Sequence, residues 1–207
     1  MSIKPCSLIV LTGGPGAGKT ATLEIVRKRF LEHISIVPEA ASIIYGGGFW
    51  RRDGLAMKKA AQRAIYHVQR ELEHAIVEDG NTTVALCDRG TLDGLAYWPE
   101  AAESFWQELG ITREAELKRY AAVIHLRTPN AEHGYNHQNP IRTENAREAS
   151  VIDERIVKAW EGHPNRIFIE STENFLEKVR LALEVIKKQL IVIQNLPENA
   201  PAPARRP

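Results

Sequence analysis

The stretch that most constrains this chain runs from Ser7 to Thr20. There the apolar run Ser7–Leu11 leads through Thr12 into Gly13-Gly14-Pro15-Gly16-Ala17-Gly18-Lys19-Thr20. These eight residues fit G-x-x-x-x-G-K-[ST] at every fixed position. The four fixed positions coincide by accident in roughly 1% of chains of this length, and an accidental match has no reason to follow a strand and open a helix. Here the apolar run reads as a buried strand, and residues from Lys19 to about Leu31 read as a helix. Glycines let backbone N–H groups converge on phosphate oxygens without Cβ clashes, and the free N–H groups of the helix start face the same anion. Gly13–Ala21 is therefore the candidate phosphate cradle for ATP or GTP. Lys19 is placed to reach the β- and γ-phosphates, and the Thr20 hydroxyl to ligate Mg²⁺.

The rest of the chain alternates in the same way. Strands are expected at Ile34–Val37, Thr83–Cys87, Ala121–Leu126 and Arg166–Ile169. Helical sequence is expected at Leu55–Val77, around Leu92–Leu109, after Glu144 to about Gly162, and over Asn174–Leu196. In the first of these helices Met57, Ala61, Ala64, Ile65, Val68, Leu72, Ala75 and Ile76 recur at spacings of three and four, one helical face. Alternation of this kind predicts the α/β class: a three-layer P-loop NTPase fold whose five-stranded, mainly parallel sheet is covered by helices on both faces. With 207 residues, 43% of them hydrophobic, one domain over residues 1–196 can bury a core of its own. Residues 197–207 carry four prolines and two arginines and read as a disordered tail.

Two further acidic positions end strands. Asp88 follows Val84-Ala85-Leu86-Cys87 and precedes Arg89. In a parallel sheet strand C-termini face the ligand edge, so Asp88 can hold a Mg²⁺-bound water and Arg89 an anionic or hydroxylated substrate. The competing reading is a strand-end turn with a surface ion pair. Glu39 closes Ile36-Val37-Pro38-Glu39 and is placed either to accept a hydroxyl proton or to stabilise a helix N-terminus.

Residues 128–147 are polar and rich in turn formers and lead into Arg142 and Arg147. Such a segment can act as a lid, bringing an arginine to phosphates and excluding water; the competing reading leaves both arginines solvated. His133 and His137 stand four apart, but Gly134 between them argues against a helix, and no metal other than nucleotide-bound Mg²⁺ is expected. Trp50, Arg51 and Arg52 beside three glycines suit a substrate-side loop, or else Phe49 and Trp50 pack on the sheet.

Composition excludes other classes. A net charge of +1 gives no global field toward nucleic acid. No apolar run reaches membrane-spanning length, and the five apolar residues before the glycines are too few for a signal-peptide core. Cys6 and Cys87 adjoin apolar runs and read as buried thiols rather than a disulfide. The expectation is a soluble cytoplasmic protein, with oligomerisation left open.

Three motifs together resemble a known group: Thr-Gly-Gly-Pro-Gly-Ala-Gly-Lys-Thr, Val-Pro-Glu-Ala-Ala after the second strand, and Cys-Asp-Arg-Gly-Thr-Leu-Asp-Gly-Leu-Ala-Tyr-Trp-Pro after the third. The resemblance is to the NadR-like P-loop ATPases. That group takes in the ribosylnicotinamide kinase domain of bacterial NAD-biosynthesis regulators and an animal photoreceptor translocation-defect protein that binds GTP and lipid. It extends to about Leu196. More distantly the layout is similar to deoxynucleoside and thymidylate kinases, although Gly90 stands where those kinases commonly carry serine. The resemblance implies Glu39 as base, Asp88 and Arg89 at substrate and Mg²⁺, and Arg142 or Arg147 as lid arginine. The leading expectation is phosphoryl transfer to a small nucleoside-like acceptor. The alternatives are an NTP-hydrolysing switch that regulates a partner and a nucleotide-dependent lipid- or polyphosphate-binding module.

Overall fold

Five apolar runs become five strands: β1 (Ser7–Thr12), β2 (Ser35–Val37), β3 (Val84–Asp88), β4 (Tyr120–Leu126) and β5 (Arg166–Ile169). They form one sheet in the order β2-β3-β1-β4-β5, and every neighbouring pair is parallel. Parallel neighbours need crossovers, supplied by α1 (Lys19–Phe30), α2 (Ala40–Gly46), α3 (Leu55–Asp79), a 3₁₀ helix (Thr91–Tyr97), α4 (Ala102–Leu109), α5 (Arg113–Leu117), α6 (Ala146–Ala159) and α7 (Phe175–Gln194). The computed structural model describes residues 6–30, 34–129, 146–172 and 174–194. The tail, the two histidines and all of the expected lid except its flanks at 128–129 and 146–147 lie outside the described residues.

Both faces of the sheet are buried, which explains why the central strands are apolar at consecutive positions. On one face Ile9, Leu11, Leu86 and Ile124 pack with Leu23 and Val26 of α1 and Ala182 and Ile186 of α7. On the other, Val10, Cys87 and Val123 pack with Leu92, Ile156 and Trp160. Each large side chain so buried contributes about 1.5–3 kcal/mol. Both cysteines are free thiols; Cys87 is buried and Cys6 half-buried.

The helical sequence around Leu92–Leu109 is not one helix. Pro99 lacks an N–H and pushes the residue before it out of the helical region; Trp98 sits at φ −67°, ψ 131°, and the segment divides into the 3₁₀ helix and α4. The long α3 also buries a face that apolar periodicity did not reveal. Beside Ala61 and Tyr66 it turns Gln62, Gln69 and Glu73 inward, because that side of the helix faces polar groups at the strand ends rather than apolar core. The short α2 and α5 have too few turns to leave a period in the sequence.

Candidate active site

The glycine-rich loop leaves the C-terminal end of β1, the central strand. At Gly13, φ is +137°, and a Cβ would stand 2.1 Å from the Leu126 carbonyl oxygen, so no other residue fits there. Gly14 donates its N–H to Asp153 Oδ1 of α6 at 2.8 Å. The same oxygen accepts from His125 Nε2 at 2.9 Å, and Arg127 Nε lies 3.3 Å from the other one. The loop is thus tied at its first turn to α6 and β4. Lys19 opens α1, nearly fully buried, and donates from Nζ to the carbonyls of Gly13 (2.8 Å) and Gly14 (3.0 Å). Burial, reinforced by the charge of Arg89, lowers its pKa to about 8, against the opposing pull of Asp88, Glu39 and Asp93. Thr20, one residue on, is exposed and lines the cleft in front of the loop.

Asp88 ends β3 directly beside Leu11 of β1, which brings its carboxylate to the same sheet edge as the loop. Its Oδ1 is buried and has no hydrogen-bond partner. Burial above all, with Glu39 and Asp93 adding like charge, raises its pKa to about 6, while Lys19 and Arg89 act in the other direction. A buried carboxylate oxygen without a donor is costly, and carboxylate and hydroxyl oxygens lining one cleft are the ligand type that suits a hard, hydrated cation. Among the described residues there is no cluster of three or more His, Cys, Asp or Glu side chains that could hold a metal ion.

Arg89 adopts φ +70°, the only positive φ of a non-glycine residue among the described residues. A left-handed arginine costs on the order of 1 kcal/mol, and its surroundings hold it there. Its N–H donates to Leu11 O at 3.1 Å, and its carbonyl accepts from Gln69 Nε2 at 3.2 Å. Gln69 also donates to the fully buried Glu73, which in turn accepts from Tyr120 and Arg119. At its other end the guanidinium donates to Glu39 Oε1 (2.6 Å), to Asp93 Oδ1 (3.3 Å) and to Gly13 O (3.3 Å). Burial opposes the charge on Arg89, but Tyr97, Glu39 and Asp93 hold its pKa well above the ordinary value.

Glu39 lies at the N-cap of α2, so the helix-start reading and the active-site reading both describe its place, although its side chain makes no cap bond. Its two oxygens accept from Arg89 and from the Ser42 hydroxyl. Burial works to raise its pKa, yet Arg89 and Ser42 prevail and bring it down to about 2. A carboxylate of that acidity holds a hydroxyl by hydrogen bonding better than it removes the proton.

Glu39, Asp88, Arg89, Lys19 and Thr20 therefore meet around one cleft of about 860 Å³, within the size range of ligand pockets. Arg147 lies exposed in the first turn of α6 and is not among the described residues that line it. Arg142 lies outside the described residues. The arginine that α6 does turn to the cleft is Arg155, which no motif in the sequence marks. Two aspartates also belong to the site without having stood out in the sequence. Asp93 is buried and accepts from Thr12 Oγ1, Gly90 N (3.0 Å), Trp160 Nε1 (3.0 Å) and Arg89; as an acidic residue in the first turn of the 3₁₀ helix it carried only the general helix-start signal. Asp153 carried no such signal, because its partners lie 139 and 28 residues away.

The family model described as the AAA domain matches residues 8–178, from β1 into α7. The chain belongs to the AAA domain family. As an AAA domain it is a P-loop NTPase-type, nucleotide-binding protein, in agreement with the loop and sheet described above. A search among curated proteins returns no match. No helix among the described residues of this AAA domain is long and apolar enough to cross a membrane.

Proposed function

We propose that this AAA domain, a single unit over residues 1–196, transfers the γ-phosphoryl group of ATP or GTP to a small nucleoside-like acceptor. The observation that carries the reading is the bare, buried Oδ1 of Asp88 in the cleft that Lys19 and Thr20 also line. A second charged wall, Glu39 with Arg89, faces the same cleft where an acceptor would sit. This joins the three motifs of the ribosylnicotinamide kinase-type resemblance at one sheet edge.

In this reading the N–H groups of Gly13–Ala21 cradle the phosphates, except Pro15, which has none, and Gly14 and Ala17, which already donate to Asp153 and to the Gly14 carbonyl; Lys19 exchanges its bonds to Gly13 and Gly14 for β- and γ-oxygens. Mg²⁺ held by Thr20 and, through water, by Asp88 would offset charge on the phosphate oxygens. Arg89 and Glu39 orient the acceptor hydroxyl, whose oxygen forms the new bond to Pγ. The bond from Pγ to the β–γ bridging oxygen breaks, and the hydroxyl proton passes to Glu39 or to water. The weak basicity of Glu39 suffices, because a loose phosphoryl-transfer transition state is served mainly by positioning and electrostatics. Arg155, which lines the cleft, takes the phosphate-side role expected of Arg142 or Arg147.

The test is acceptor-dependent ADP or GDP formation across a nucleoside library, with wild type and Asp88→Asn compared at saturating Mg²⁺. We expect kcat to fall at least 100-fold while affinity for a triphosphate analogue changes less than fivefold. A wild-type kcat in the variant removes Asp88 from the mechanism, and turnover that no acceptor stimulates leaves water as the acceptor.

A further inference from the structure

Beyond Asp88 and Arg89 the cleft changes character. Its outer wall comes from the end of α2, the connection 47–54 and the first turn of α3, and includes Tyr45, Trp50, Arg51, Arg52, Asp53 and Lys58. Trp50 is 61% exposed, so it does not pack on the sheet. The Arg52 guanidinium lies 4.3 Å from the centroid of the Trp50 ring, and that of Arg51 lies 4.2 Å from the Tyr45 ring. Stacking engages the face of a guanidinium and leaves its in-plane N–H edge for an oxyanion. Neither Arg52 nor Lys58 forms an ion pair among the described residues. Glu39, Asp88 and Asp93 gather at the inner end with Lys19 and Arg89, whereas among the described residues the outer wall carries Arg51, Arg52 and Lys58 and one carboxylate, Asp53.

We propose that this wall binds an acceptor that pairs a planar ring with a phosphomonoester, a nucleotide-type molecule rather than an uncharged nucleoside. The inference rests on the phosphoryl-transfer reading for calling this ligand the acceptor, while the binding itself stands on the cleft. The ring packs on the open indole of Trp50, and the phosphate takes the free edge of Arg52 together with Lys58 through charge-assisted bonds. An uncharged nucleoside keeps the first contact and loses the second. Because these cations are exposed, the preference weakens with salt.

The experiment loads the protein with Mg²⁺ and a non-hydrolysable triphosphate analogue, which fills the phosphate loop. It then titrates AMP, GMP, CMP and UMP beside their four parent nucleosides. At least one monophosphate is expected to bind ten times or more tightly than its nucleoside. Arg52→Gln combined with Lys58→Gln brings that ratio to within threefold of one, with nucleoside affinity changed less than twofold, and Trp50→Ala weakens both ligands. All three side chains are exposed or at the rim, so the variants keep the core. Equal affinity for every nucleotide–nucleoside pair, a ratio unaltered in the double variant, or no binding by any of the eight compounds overturns the inference. ADP formation in the same series separates the two readings. Nucleosides that turn over with no preference for monophosphates overturn this inference alone. Monophosphates bound with the Arg52-dependent preference, but never phosphorylated, overturn the proposed function alone.

Discussion

Replacing Asp88 by asparagine should make the nucleotide-free protein more stable while it inactivates the site. The carboxyl titrates near 3.8 in an unstructured chain and at about 6 in the fold, where burial is the largest cause. A raised carboxyl pKa means that folding penalises the ionised form. Below about pH 4 the group is protonated in both states and the penalty is absent. It grows as pH rises from about 4 to 6 and is complete above that, when both states are ionised. A rise from 3.8 to about 6 corresponds to a ceiling of about 3 kcal/mol. Water on the cleft side screens part of it, so the working figure is about 1–3 kcal/mol. Asparagine keeps the shape and has no charge to desolvate. For a chain of this size that is a gain of roughly 2–10 °C in Tm. The assay is thermal or urea unfolding of both proteins in EDTA, without nucleotide, from pH 4 to 8. The difference between them isolates residue 88 from all other titrating groups. Asp88→Asn should exceed wild type by the stated margin at pH 7.5 and converge with it near pH 4. Mg²⁺ with nucleotide should then stabilise wild type more than the variant. A variant less stable than wild type at pH 7.5, or a difference that does not change with pH, refutes the account of Asp88 as a strained carboxylate kept for cation binding.

Two other substitutions probe the same site from either side. Lys19→Ala removes the cation that serves the β- and γ-phosphates and should weaken triphosphate-analogue binding more than tenfold in equilibrium titrations; unchanged affinity in a folded variant would discard the loop assignment. Asp93→Ala leaves the donors of Thr12, Gly90, Trp160 and Arg89 without their shared acceptor. The loss should be about 2–4 kcal/mol in urea unfolding, and a loss under about 1 kcal/mol would show that water replaces the carboxylate.

Much of this molecule was legible in the chain because its signals are local. The strand before Gly13, the loop and the start of α1 are contiguous, so the phosphate cradle follows from spacing and from glycine stereochemistry alone. The five strands were legible for a related reason: a strand buried on both faces must be apolar at nearly every position, and Arg166–Ile169 was found with its observed bounds. Asp88 and Glu39 could be proposed because strand ends in a parallel sheet point to one edge. Pairing across long sequence separations could not be read in this way. The bond from Arg89 to Glu39, the bare Oδ1 of Asp88 and the tie from Gly14 to Asp153 depend on strand order, since β3 comes to flank β1 after two crossovers and β4 after a third. The buried polar stripe of α3 was hidden for the same reason. Gln69 and Glu73 look like surface residues until the fold places Arg89 and Arg119 opposite them. Sequence determined which groups this protein has for phosphate chemistry, because backbone conformation and burial of strands are decided within a few residues. Tertiary structure decided which of those groups are already paired and which remain open to a ligand, because electrostatics and hydrogen bonding act across space regardless of position along the chain.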